Sequence, residues 1–160
     1  MNRPALTPAD RGTPSAPAPD PAPDDAPDAT SADAAFFRTM VDQMDNGVYF
    51  VNRRRRITYW SQGAATITGY PADRVIGKGC RDNLLNHVDD TGTELCRSRC
   101  PVAATMRDGE PREAHVYLVH ADGHRLPVWV RAAPLRDATG VVIGAVETFG
   151  DDTAALAARA

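Results

Sequence analysis

The chain has 160 residues, the length of about one domain, and carries 18 basic and 21 acidic side chains for a formal net charge of −3. The excess of acid lies in the first 32 residues, where five aspartates face Arg3 and Arg11, so residues 33–160 balance at 16 acids and 16 bases. A neutral body argues against a nucleic-acid surface, and the lack of an apolar run near about 18 residues or of a basic-then-apolar leader gives no sign of export or membrane spanning. The expectation is a cytoplasmic protein with reduced thiols.

Residues 1–32 hold eight of the thirteen prolines and almost no large apolar side chain. Such a segment cannot bury enough surface to offset the entropy of ordering, and it reads as a disordered tail. Phe36, Phe37, Met40, Val41 and Met44 then recur at three- and four-residue spacing, which predicts one apolar face of a short helix. Asp45-Asn46-Gly47 stops it. Gly47–Val51 and Ile57–Ser61 have the β-branched and aromatic content of strands, joined by a turn with four arginines, Arg53 to Arg56, read as a solvated hairpin tip.

Short helical pieces follow. Ala64–Thr68 is closed by Gly69, Ala72–Ile76 is opened by Pro71 and closed by Gly77, and Val102–Arg107 has Pro101 as its first residue and Asp108-Gly109 as its stop. Three strands complete the pattern: Arg112–His120, Arg125–Leu135 and Val141–Phe149. Ala121-Asp122-Gly123-His124 between the first two is a hairpin turn. In the second, Leu126, Val128, Val130 and Ala132 share one face and Trp129, Arg131 and Ala133 the other. The order predicts an α+β fold, an antiparallel sheet with short helices gathered on one face.

Ile57-Thr58-Tyr59-Trp60-Ser61, Ile67-Thr68-Gly69-Tyr70, Val75-Ile76-Gly77-Lys78, Asp122-Gly123-His124-Arg125 and Asp137-Ala138-Thr139-Gly140-Val141-Val142-Ile143-Gly144 stand in the order seen in PAS sensory domains. The chain resembles that family over about residues 34–152. The resemblance implies a PAS-like five-stranded antiparallel sheet with short helices on one face. It also implies a non-catalytic sensor module over residues 33–152, with residues 153–160 starting a C-terminal signalling helix. Ser61-Gln62 stands where the family has an Asn after the Trp of the second strand, so no ligand contact is carried over from there. Cys80, His87-Val88-Asp89 and Leu95-Cys96 through Cys100-Pro101 further resemble bacterial PAS domains that precede diguanylate cyclases. The partners so implied are a diguanylate cyclase, a histidine kinase or a second copy of this chain.

Cys80, His87, Cys96 and Cys100 crowd every cysteine and one of the four histidines into one window. Three thiolates and an imidazole make a four-ligand set competent for zinc, and the same donors suit an iron–sulfur cluster. Pro101 disfavours α geometry at Cys100, which places its sulfur at a helix N-cap, beside unpaired N–H groups that lower a thiol pKa. The window therefore admits three readings: a metal or cluster site, a reversible thiol switch between Cys96 and Cys100 with Cys80 as third partner, and ordinary buried cysteines. In the last case the helix stripe at Phe36 to Met44 makes the chain an interaction module. His115, His120 and His124 are candidate haem ligands, and Trp60 and Trp129 candidate stacking partners for flavin. Turn, strand and packing roles account for all five. Ser61, Asp89 and His87 have no nucleophile elbow or triad order around them, so no enzyme is expected.

Overall fold

The structure, a computed structural model, describes residues 32–80, 82 and 84–160. The expected tail lies, but for Ala32, outside the described residues. The elements in chain order are α1 (Ala32–Asp42), β1 (Gly47–Asn52), β2 (Ile57–Trp60), α2 (Gln62–Thr68), α3 (Ala72–Val75), α4 (Leu95–Ser98), α5 (Pro101–Asp108), β3 (Arg112–Val119), β4 (Arg125–Arg136), β5 (Val142–Asp151) and α6 (Thr153–Arg159).

The five strands form one antiparallel sheet in the order β2-β1-β5-β4-β3. Alternation along the pleat sends Tyr49 and Val51 of β1, Val128, Val130 and Ala132 of β4, and Ala145 and Phe149 of β5 into the core. There they meet Ala64 of α2, Val75 of α3, Leu95 of α4 and Val102 of α5. Tyr49, Trp60 and Phe149 form an aromatic cluster with ring centroids 5.5 to 6.3 Å apart. The Trp60 indole N–H donates to the Tyr70 carbonyl at 2.9 Å, so the second strand and the end of α2 are locked together.

Local signals act as expected at most element ends. Gly109 stops α5 in the left-handed region (φ 75°), and its N–H donates to the Thr105 carbonyl. Ser61, expected as the last residue of β2, is instead the N-cap of α2. Its Oγ accepts from Ala64 N at 3.1 Å and from Val48 N at 2.9 Å, so one buried hydroxyl joins helix to sheet. The single turn α4 was not foreseen. It is held by the preceding loop, where Asp89 Oδ1 accepts from the N–H groups of Thr91 and Thr93, both at 2.9 Å.

The stripe on α1 faces away from the core: Phe36 and Phe37 are 63% and 64% exposed, Met40 52% and Met44, just past the helix, 45%. One carboxylate tethers the helix. Asp42 accepts from the Tyr59 hydroxyl at 3.1 Å and from Gln62 N at 3.0 Å.

Gly144 lies where β5 meets β1, and a Cβ there would come within 2.1 Å of the Val51 carbonyl oxygen. The obstacle is backbone, so the pairing must give way. Gly144→Ala is expected to destabilise the fold by about 1–3 kcal/mol, read as a lower urea midpoint at unchanged m-value. Wild-type stability for this variant would contradict the β1–β5 register.

Candidate functional site

The loop between α3 and α4, α4 itself and the start of α5 bring all four sequence candidates to one place. Cys80, His87, Cys96 and Cys100 line a single small cavity with Tyr49, Leu95, Pro101, Val102 and Glu147. Each arrives by a separate backbone constraint. Cys80 N donates to the Arg55 carbonyl at 2.9 Å. His87 sits beside Val88, which exchanges two 2.9 Å backbone hydrogen bonds with Tyr117 of β3, and its own carbonyl accepts from Leu95 N at 2.9 Å. Cys96 is in α4. Cys100 is the N-cap of α5, extended at φ −61° and ψ 117° with Pro101 next to it, as the sequence predicts.

The set resolves into two pairs. Cys80 and Cys100 interact through their thiols, and Cys96 Sγ lies 4.0 Å from His87 Nδ1. The other imidazole nitrogen, His87 Nε2, is 3.8 Å from Glu147 Oε1. All three cysteines are free thiols. The hydrogen bond from Cys80 stabilises a thiolate on Cys100, joined by the N–H groups of Ala103 and Val102 and by the Arg55 charge, and these outweigh burial to draw the Cys100 pKa below the ordinary range. Donating that proton, together with burial, raises Cys80. Burial also raises Cys96. The pocket thus favours one thiolate and two thiols.

Two residues that sequence reasoning missed complete it. Glu147 stands opposite Tyr49 in the β1–β5 ladder and is 2% exposed; burial pushes its carboxyl up to about 8, against a hydrogen bond from Tyr49. Its signal was legible, since Ala145, Glu147 and Phe149 alternate onto the core face. Arg55 was read as part of a solvated hairpin tip, and the structure corrects this. At φ 62° its side chain turns inward, and Nη2 donates to the Cys96 carbonyl at 2.9 Å. Burial together with the Arg125 charge drives His87 down to about 4, so its imidazole is neutral at physiological pH.

The cavity measures about 10 Å³, room for about one water-sized occupant. Haem, a flavin ring and a four-iron cluster do not fit it. His87 Nε2 and Glu147 Oε1 are buried there without a hydrogen-bond partner. Elsewhere, His120, Asp122 and His124 form the one group among the described residues that brings three or more metal-type ligand atoms within 4.8 Å of one another. Their hydrogen bonds build the β3–β4 turn: Asp122 N donates to His120 Nδ1 and His124 N to Asp122 Oδ1, both at 3.1 Å. His115 is largely exposed and pairs with Asp152 at 2.8 Å, on the sheet face away from the cavity.

A sequence profile for the PAS domain family matches residues 45–154. Among solved structures, a PAS domain from Colwellia psychrerythraea is 18% identical with TM-score 0.61, covering 73% of this chain and 94% of that one. A light-oxygen-voltage domain studied with a flavin analogue is 21% identical with TM-score 0.60, covering 82% and 92%. The VqmA dimer of Vibrio cholerae is 18% identical with TM-score 0.59; 74% of this chain matches 53% of that one. No curated protein matches. With the match spanning most of its length and the sheet and helices in the family's arrangement, the chain belongs to the PAS domain family, whose members serve as sensory signalling modules. None of the helices among the described residues is long and apolar enough to cross a membrane.

The thiol asymmetry is directly measurable. The rate of Cys100 alkylation by iodoacetamide, followed by peptide mass spectrometry, is expected to rise with pH through a midpoint below the ordinary thiol range. In Cys80→Ala that midpoint should move up by about one unit or more, because the donating thiol is gone. An unshifted midpoint would show that Cys80 does not act on Cys100.

Proposed function

We propose that this PAS domain is a cytoplasmic thiol sensor whose input is the oxidation state of Cys80 and Cys100. One observation carries the reading: Cys100, at the N-cap of α5, shares one small cavity with Cys80, a buried cysteine from a distant segment. A two-electron oxidant such as hydrogen peroxide forms an S–O bond to the Cys100 thiolate as its O–O bond breaks and hydroxide leaves. The Cys80 sulfur then displaces that oxygen as water, carrying the Cys80 proton away, and a Cys80–Cys100 disulfide remains. This pairing replaces the Cys96–Cys100 switch expected from spacing.

The bond would tie the loop after α3 to the start of α5, which packs on β4 and β5. β5 carries Glu147 into the cavity and ends at Asp151, just before α6. A changed seat for α5 therefore bears on the strand that leads into the C-terminal helix. The exposed stripe on α1, with α6, is the surface on which a second copy, a diguanylate cyclase or a histidine kinase would read the change.

A second reading rests on the unpartnered His87 Nε2 and Glu147 Oε1. In it Cys80, His87, Cys96 and Cys100 would hold a single zinc-like ion after their side chains shift, since as placed no three of their ligand atoms lie within 4.8 Å of one another. The 4.0 Å between Cys96 Sγ and His87 Nδ1 is short enough for one ion with bonds of about 2.0–2.3 Å to span, whereas the 3.8 Å contact to Glu147 is made by the other ring nitrogen and cannot serve the same ion.

Anaerobic purification followed by metal quantification and thiol titration separates the two. The thiol reading predicts little metal, three reactive thiols, about one after a single equivalent of hydrogen peroxide, and three again after dithiothreitol. About one metal per chain, with thiols that react only after a chelator is added, would overturn it in favour of the metal site.

A further inference from the structure

Outside the inner cavity, α4 and α5 border a second, open groove of about 600 Å³, well within the size range of small-molecule sites. Arg55, Arg97, Arg99, Arg107 and Arg112 line it against one acid, Glu113. That is five of the 16 bases of a body with no net charge. Three of these charges are already matched: Arg97 pairs with Glu94, Arg112 with Asp108, and Glu113 with Arg131 outside the groove. The Arg99 and Arg107 guanidinium groups make no hydrogen bond or ion pair among the described residues, and the Arg55 Nε is buried without a partner. Cys96 and Cys100 both line the open groove and the inner cavity that holds Cys80, but Cys96 is buried and Cys100 is the half-buried one at the cap of α5. Cys80 lines only the inner one.

Resting on the thiol reading above, we infer that the arginine groove is a docking site for an anionic, carboxylate-bearing low-molecular-weight disulfide of the glutathione disulfide type, and that Cys100 is the residue it modifies. An inert anion such as phosphate gains nothing from a thiolate in the groove wall, which would repel it. A disulfide gives that sulfur an electrophile, while its carboxylates meet the guanidinium groups of Arg99 and Arg107, which feel Asp89 and Asp108 at longer range but form no direct ion pair among the described residues. Hydrogen peroxide is small and uncharged and needs no groove of this size.

The chemistry closes in two exchanges. The Cys100 thiolate attacks one sulfur of the bound disulfide, forming a mixed disulfide and expelling a thiolate. The Cys80 sulfur then attacks Cys100 from the inner cavity, the Cys80–Cys100 bond forms, and the second small thiolate departs with the Cys80 proton. The incoming molecule is reduced to two thiols and the protein is oxidised by the same two electrons. Groove, Cys100 and Cys80 stand in the sequence those steps require.

The test compares initial rates of oxidation of the full reduced chain by oxidised glutathione, by neutral 2-hydroxyethyl disulfide and by cationic cystamine, each scaled to its rate with free cysteine. Oxidised glutathione is expected to be favoured by about tenfold or more over the neutral disulfide, with cystamine slowest and the preference shrinking as salt is raised. Arg99→Gln with Arg107→Gln, both at exposed positions, should remove most of that preference and leave the neutral rate unchanged. Equal scaled rates for all three disulfides, or a preference that survives the arginine substitutions, would overturn the groove assignment while the thiol switch stands. If neither these disulfides nor hydrogen peroxide forms the Cys80–Cys100 bond in the folded chain, the thiol reading falls and this inference falls with it.

Discussion

Pro101 is the constraint on which the pocket depends. A proline cannot continue a helix toward its own N-terminus without crowding the residue before it, so Cys100 is held extended at the cap. Proline also has no N–H, so the first free donors of α5 belong to Val102 and Ala103, and both bear on the Cys100 sulfur. Cys80 approaches from the opposite side on a loop fixed to Arg55 by a backbone hydrogen bond. A helix end, a distant thiol and a half-buried arginine thus meet at one sulfur. None of the three alone makes a reactive cysteine.

The rest of the cavity wall keeps other charge out. Burial drives the Glu147 carboxyl toward its protonated form, and burial together with the Arg125 charge drives the His87 imidazole toward its neutral one. Moving an unpaired ion into such surroundings costs several kcal/mol or more, so the pocket supports the single negative charge on Cys100 with Arg55 as its counterion. A second thiolate would have no such partner, and Cys80 and Cys96 are accordingly raised. On the proposed reading, this polarity suits a dithiol that is oxidised better than a set of thiolates that bind a metal. Of the two cysteines that line the arginine groove, Cys96 is buried and Cys100 half-buried, so Cys100 is the more accessible from it.

The scaffold was readable because its signals are local. Asp122-Gly123 at the β3–β4 turn, Gly109 after α5, and the alternation Leu126, Val128, Val130, Ala132 each follow from backbone or pleat geometry within a few residues. The Cys100 N-cap was readable for the same reason, since its cause is the next residue. Arg55 was not, because three of the four arginines in its run are exposed and nothing in the sequence marks which one adopts φ 62° and turns inward. Glu147 shares the core-face alternation of Ala145 and Phe149, and only its charge argues against burial; laying β1 beside β5 puts Tyr49 opposite it. The Cys80–Cys100 pairing depends on how the loop from α3 to α4 folds back over the sheet. Spacing favoured Cys96 and Cys100 because they are near neighbours in the chain, yet α4 and the cap direct their sulfurs to different partners.

The most direct measurement is the identity of the bond that forms on oxidation. Protein treated with oxidant, alkylated and digested without reductant should yield one dominant cross-linked species joining the peptides that contain Cys80 and Cys100, with Cys96 recovered alkylated. A dominant Cys96–Cys100 or Cys80–Cys96 linkage, or three alkylated cysteines after full exposure to oxidant, would contradict the account.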